Sequence, residues 1–271
     1  MLLDSTPDPD VRVRENLSGS LFGDYAAALR RLVRPLDFRR ADECSLVLDW
    51  LAPAAGERVL DIGCGDGHYD RRIAKTGAVV DAIDMRTNRL AVAARWNPHP
   101  RVRFQQMRAE ALEFGDGTFD KVVSICVIEH IPDDEAAFRE IARVLRPGGR
   151  FVLSCDSLSN AGITDRLRAR HATRYAVRHF YTRAMLAARL ERAGLDLLRS
   201  RFVLTTPLSL AITRFTYLAD DAGRWPGGWA VKYPALAVAG TAGLLASRAS
   251  ERLGARADRG LTLIAEAVKR R

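Results

Sequence analysis

The chain is poor in the residues that mark secreted, disulfide-stapled or fibrous proteins. It has only 4 cysteines in 271 residues. Cys44, Cys64, Cys126 and Cys155 are scattered, without the short paired spacing of a metal site. Three of them fall in or beside apolar runs that read as core strands, so buried free thiols of a cytoplasmic protein are expected. The opening Met1-Leu-Leu-Asp-Ser-Thr-Pro-Asp-Pro-Asp10 is polar and turn-rich, with no charged-then-apolar leader pattern. No apolar run is long enough to span a bilayer, the stretch Ala235 to Ala246 included. Internal repeats and low-complexity tracts are missing, as is any Ser/His/Asp or paired-carboxylate arrangement that would argue for hydrolysis. Lysine is scarce too, and nearly all the basic residues are arginine.

What remains is the composition of a folded globular protein, 48% hydrophobic and 28% charged. At this length one good-sized core with an elaboration, or two small domains, can form. The net charge of +9 divides unevenly: −2 over residues 1–55, 0 over 56–154, +6 over 155–204 and +5 over 205–271. The basic excess therefore lies in the second half, either as a solvated arginine-rich face or where an anionic partner docks.

The most informative stretch is Arg58-Val-Leu-Asp-Ile-Gly-Cys-Gly-Asp-Gly-His-Tyr69. Val59 to Ile62 is a short apolar run suited to a buried parallel strand. Gly63, Gly65 and Gly67 then permit a sharp turn and close approach of a ligand, and Tyr69 to Lys75 resumes as a helix. The free N–H groups and dipole of that helix are expected to face a ligand. Asp61 ends the strand as an acceptor for a ligand ammonium. The next strand, Ala78 to Asp84, ends on an acid seventeen positions after Gly67. In nucleotide-binding folds such an acid accepts from both ribose hydroxyls. The loop reads G-x-G-x-G, not the dinucleotide pattern G-x-G-x-x-G.

Along the rest of the chain, helices are expected over Leu21 to Arg34 and Asp42 to Leu51, ahead of the first strand. A helix over Asn88 to Trp96 precedes a strand at Val102 to Gln106. Phe119 to Ile125 is a fourth strand and Asp133 to Leu145 an amphipathic helix. Arg146-Pro-Gly-Gly149 stops that helix, and Arg150 to Ser154 is a fifth strand. Such alternation is the signature of an α/β fold, a doubly wound parallel sheet covered on both faces.

These motifs resemble those of class I S-adenosylmethionine-dependent methyltransferases, in particular the small-molecule enzymes of ubiquinone and menaquinone biosynthesis. The resemblance is carried by Val59–Tyr69, Ala82–Met85, Ala109–Phe114, Phe119–Pro132 and Leu145–Ser154, and it covers roughly residues 45–200. It implies a seven-stranded, mostly parallel sheet whose last strand is antiparallel, with Leu195–Leu204 and Gly260–Val268 as strands six and seven and a Thr-capped helix before strand six. S-adenosylmethionine is the implied cofactor, held by Asp61, Gly63, Cys64, Gly65, Gly67, Asp84, Met85, Ala109, Glu110 and Ile125. Two positions depart from the family pattern. Arg108 stands where an acid often binds the adenine amino group, so adenine recognition is expected from backbone near Ala109 and Glu110. Cys126 stands three residues before Glu129 where the ubiquinone enzymes place an acid, so no metal site is expected at Glu129-His130.

The resulting organisation is an N-terminal arm with lid helices (1–50), a cofactor-binding core (51–204 plus 260–271), and an apolar insertion before the last strand (205–259). The insertion holds Leu208 to Leu218, Trp225-Pro-Gly-Gly-Trp229 and Tyr233 to Leu245. It is expected to cap a hydrophobic acceptor, or to form a homodimer or peripheral membrane contact at the inner membrane face. O-methylation of a hydrophobic small molecule, lipid-like compound or natural product is the expected reaction. His130 is the candidate base, with His171, His179 and Tyr181 as alternatives. A nucleic-acid methyltransferase would interleave aromatic with basic residues, which this insertion does not. A non-methylating protein of the same fold that binds S-adenosylmethionine is the other alternative.

Overall fold

The computed structural model of the chain describes residues 38–222, 249 and 258–271. Two compact units divide the chain, one of Asp42–Leu210 with Ala249–Arg271 and one of Met1–Ala41 with Ala211–Arg248. The first contains the sheet. The expected helix at 21–34, and the tryptophan and tyrosine segments of the insertion, lie outside the described residues.

In order, the elements are α1 (Phe38–Leu51), β1 (Arg58–Ile62), α2 (His68–Ala74), β2 (Val79–Asp84), α3 (Thr87–Trp96), β3 (Val102–Gln106) and β4 (Phe119–Ile125). They continue with α4 (Asp134–Val144), β5 (Leu145–Asp156), α5 (Asp165–Tyr175), α6 (Arg183–Arg192), β6 (Leu195–Val203), α7 (Pro207–Ala222) and β7 (Thr262–Lys269). The seven strands form one sheet in the order β3-β2-β1-β4-β5-β7-β6. β1 to β5 pair in parallel, and β7 runs antiparallel between β5 and β6. The chain moves outward from β1 to β3 and then returns to the other side of β1 with β4. This reversal opens a crevice at the carboxyl ends of β1 and β4, where open α/β sheets bind ligands.

Continuous apolar runs explain the central strands. Val59, Leu60 and Ile62 of β1, Val122 and Val123 of β4, and Phe151 to Leu153 of β5 are all buried, as a sheet covered on both faces requires. In α4, Ala137, Phe138, Ile141, Ala142 and Val144 are buried, at the three- and four-residue spacing of a helix face. The Asp133 carboxylate caps this helix by accepting from the Ala136 amide at 2.9 Å. In α6, Thr182 does the same for Met185, the Thr cap expected ahead of strand six. Glu266 is an acid on the buried face of β7, and it survives there because Arg150 and Arg199 both pair with its carboxylate.

One boundary differs from expectation. Arg146 to Gly149 does not separate α4 from β5 as a free turn; β5 already begins at Leu145, which pairs with Phe119. The pairing then resumes at Lys121 and Arg150, so the Pro-Gly-Gly segment is a bulge at the start of the strand, where proline and glycine are tolerated. Among the described residues, no helix is long and apolar enough to cross a membrane.

Phe138 of α4 and Phe151 of β5 meet edge-on with ring centroids 6.3 Å apart, and both are fully buried. Phe138→Ala should lower stability by about 3–5 kcal/mol in urea unfolding, the range for deleting a buried aromatic ring.

Candidate active site

The glycine loop between β1 and α2 is tied to the end of β2. Gly63 and Cys64 both donate from their amides to the Ile83 carbonyl, at 2.8 and 2.9 Å. The Gly65 amide donates to Asp84 Oδ2 at 3.1 Å, and the Gly67 amide to the Cys64 carbonyl at 3.1 Å. These four loop amides are thus satisfied within the protein. α2 has only seven residues, and the loop offers shape rather than free donors.

That shape depends on missing side chains. A Cβ on Gly63 would lie 2.3 Å from a Val127 methyl, and one on Gly67 would lie 2.7 Å from the Phe104 ring. Gly65 is different: its nearest neighbour in that direction is the Arg89 guanidinium at 3.5 Å. Gly65 therefore has no side chain packed hard against it, and its amide ties the loop to Asp84. Asp84 also accepts from the Arg86 amide at 2.9 Å. Two of its roughly four lone-pair positions are used, which leaves capacity for the two hydroxyls of a ribose.

Around this point Met85 is 58% exposed at the end of β2, and Ile125 is half-buried at the end of β4. Ala109 is buried. Glu110 pairs with Arg108 at 2.6 Å, so the arginine that replaces the family's acid is turned toward its neighbour. The segment carrying these residues is held by Arg143 of α4. Its guanidinium donates to the Leu112 carbonyl at 2.8 Å and the Phe114 carbonyl at 2.7 Å, and bonds the Glu140 carboxylate. Glu140 in turn accepts from the Leu112 amide at 2.8 Å, and the Arg143 bond holds its carboxyl below the usual range.

On the other side of the crevice, Cys126 ends β4 in the left-handed region at φ 51°, a strained setting for a side chain with a Cβ. Its amide donates to the Ser154 carbonyl at 3.0 Å, and its thiol donates to Glu43 Oε1 at 2.8 Å. Glu129 is fully buried; its carboxylate accepts from the Asp156 amide at 3.2 Å, and its carbonyl accepts from Arg178 and His179. Cys126, Glu129 and Asp156 each place one donor atom within 4.8 Å of the others. This thiol–carboxyl set includes Asp156 in place of His130. Asp156 meets buried His171 at 2.7 Å from Nε2.

His130 Nδ1 lies 3.3 Å from the Ala176 carbonyl. Donation there puts the ring's basic lone pair on Nε2. The other candidates hold the fold: Tyr181 is fully buried and donates to Asp134, and burial pushes its phenol up. His179 Nε2 meets the Ile131 carbonyl at 3.2 Å. Asp156 and Glu43 escaped the sequence reading because they reach the site from separate elements and belong to no local motif, and Val127, though inside the motif Phe119–Pro132, was not singled out as packing on the glycine loop.

A model of the methyltransferase domain matches residues 60–153. The ubiquinone biosynthesis O-methyltransferase of Cupriavidus pinatubonensis is 33% identical over 172 residues, covering 60% of this chain and 69% of that protein. The chain belongs to the class I S-adenosylmethionine-dependent methyltransferases. Like several curated relatives, the ubiquinone biosynthesis O-methyltransferase of Paracidovorax citrulli is matched over about half its length, with 38% identity covering 40% of this chain and 47% of that protein. Among solved structures, the [4+2]-cyclase SpnF is similar at 26% identity and a TM-score of 0.60, over 83% of this chain and 79% of that one. In this chain the glycine loop and the acid that ends β2 occupy adjacent strand ends.

The packing of Val127 on Gly63 gives a direct test of the loop's shape. Gly63→Ala places a Cβ at φ 77° and against the Val127 methyls. It should cost about 1–2 kcal/mol from backbone strain alone, with the clash in addition. In thermal unfolding, Val127→Ala in the same chain should recover part of the loss, a coupling that unconnected sites would not show.

Proposed function

We propose that this methyltransferase methylates an oxygen atom of a hydrophobic small molecule, lipid-like compound or natural product. The observation that carries the reading is the tie of the glycine loop to Asp84, beside Asp61 on the adjacent strand β1, at the sheet's switch point. Asp61 takes the ammonium of the cofactor's amino-acid tail, and Asp84 takes the ribose hydroxyls. Gly63, Cys64 and Gly67 form the floor, and Met85, Ala109, Glu110 and Ile125 enclose the adenine. Bound S-adenosylmethionine supplies a methyl group already activated by the sulfonium. The chain's own residues then need to orient the acceptor and exclude water. His130 Nε2 takes the proton of the acceptor hydroxyl.

A hydrophobic acceptor is favoured by the apolar insertion at 205–259, which we assign as a cap over the acceptor. The same segment is the candidate for a homodimer or membrane-surface contact. The core at 51–204 plus 260–271 then supplies the cofactor site, with residues 1–50 as arm and lid. The relatives named for ubiquinone biosynthesis support a hydrophobic, hydroxylated acceptor. The likeness to a structure named as a [4+2]-cyclase makes a non-methylating reaction the reading to test against. Formation of S-adenosylhomocysteine together with a product heavier by one methyl, in mass spectrometry of metabolites from cells with and without the protein, decides between them.

Asp84→Ala should weaken S-adenosylmethionine binding by about 1–3 kcal/mol in calorimetry, the range for stranding buried polar groups. His130→Ala should leave that affinity unchanged while turnover falls by about two to four orders of magnitude, as for a lost general base.

A further inference from the structure

Asp70 is fully buried on the first turn of α2, and no other residue donates a hydrogen bond to either of its carboxyl oxygens. Nothing in the cofactor reading uses it. A buried carboxylate with both oxygens unpaired is a costly state, and the common solution is a proton. The side chain it faces is Asp61, itself only 3% exposed. Two carboxyl groups in contact bond each other only when one of them holds a proton, and they then titrate as a pair.

We propose that Asp70 is a positioning residue for the cofactor: it stays protonated, donates a hydrogen bond to the Asp61 carboxylate, and holds a single negative charge under the ammonium of S-adenosylmethionine. The proposal rests on the assignment of Asp61 to that ammonium. The surroundings disfavour two charges on this pair. Burial pushes both acids up, and each is opposed by further negative groups: Asp84 acts on Asp61, and Asp66 with Asp61 acts on Asp70. Cys64, between them in sequence, is pushed up as well by burial and by these same carboxylates. The cation that reaches the loop, Arg89 of α3, sits over Gly65. Asp61 is raised only to about 6, because the bond to Asp70 favours its charged form. Asp70 goes well above its usual range, because that bond favours its neutral form. In the arrangement proposed, the pair carries one proton, on Asp70, and one charge, on Asp61.

The signs that follow are specific. The cofactor's ammonium binds the ionised Asp61, so affinity falls as pH drops through about 6, by about tenfold per pH unit below the midpoint. Asp70→Ala removes the donor that favours the Asp61 carboxylate, so the midpoint should rise by about one pH unit. Asp70→Asn keeps a neutral donor of the same shape, so its midpoint should stay where it is. Calorimetric titration of both variants and the wild type with S-adenosylmethionine and S-adenosylhomocysteine, from pH 5 to pH 8.5, reads all three. A fall in midpoint in both variants would show that Asp70 was charged and repelling Asp61, and would overturn the proposal. An unchanged midpoint in Asp70→Ala would overturn it equally. If the alanine variant does not fold, infrared spectra of the ligand-free wild type at neutral pH decide. The carbonyl stretch of a protonated carboxyl, lost in Asp70→Asn, supports the proposal, and its absence from the wild type contradicts it. A wild type that binds neither ligand at any pH, yet shows that stretch, would overturn the cofactor assignment and with it the role of the pair.

Discussion

The glycine loop and the end of β2 are stitched together by three amides: Gly63 and Cys64 onto the Ile83 carbonyl, and Gly65 onto the Asp84 carboxylate. Most of what the site does depends on that stitching. It turns the chain sharply after β1, with Gly63, Gly65 and Gly67 all at positive φ. It also fixes Asp84 by one oxygen through Gly65 and by the other through Arg86. A carboxylate anchored in this way loses little further freedom when it takes a ribose, which is how pre-organisation contributes to affinity.

The second constraint is the handling of buried charge. Several buried acids are given a partner suited to their place. Glu266 has two arginines, Asp134 has Tyr181 and Arg189, and Asp156 has His171. Asp70 has another acid. A like-charged neighbour is the one partner that requires a proton, and it converts a structural cost into control over the charge on Asp61. The opposite wall follows the same rule, with Glu129 accepting from the amide of Asp156 at the end of β5 and Cys126 pointing its thiol at Glu43.

The elements up to β5 were legible because each is written locally. An apolar run marks the strand, glycines mark the turn, and the acid at the end of β2 falls at a fixed distance from the loop. The Thr cap of α6 and the antiparallel β7 followed from the family resemblance. Three things were not legible. Where the loop amides go is not written in the glycine pattern; Gly63 and Cys64 bond the Ile83 carbonyl and Gly65 bonds Asp84. Arg146 to Gly149 has the composition of a turn, yet Leu145 pairs with Phe119 across it, because strand pairing is set by the neighbour and not by local propensity. The acids Glu43 and Asp156 meet Cys126 and Glu129 from elements more than twenty residues away in sequence, and no spacing rule reaches that far. The same is true of Asp70: its position nine residues after Asp61 reads as an exposed helix charge until the helix is seen to turn it inward.

Hydrogen–deuterium exchange with and without S-adenosylhomocysteine tests the central claim most directly, because it locates the bound ligand without assuming which side chains matter. Protection should concentrate in the peptides covering residues 61–70 and 83–89, with a weaker effect over 107–114. A ligand that binds yet leaves the first two segments unprotected, or protects a different part of the sheet, would contradict the assignment of the cofactor to the glycine loop and Asp84.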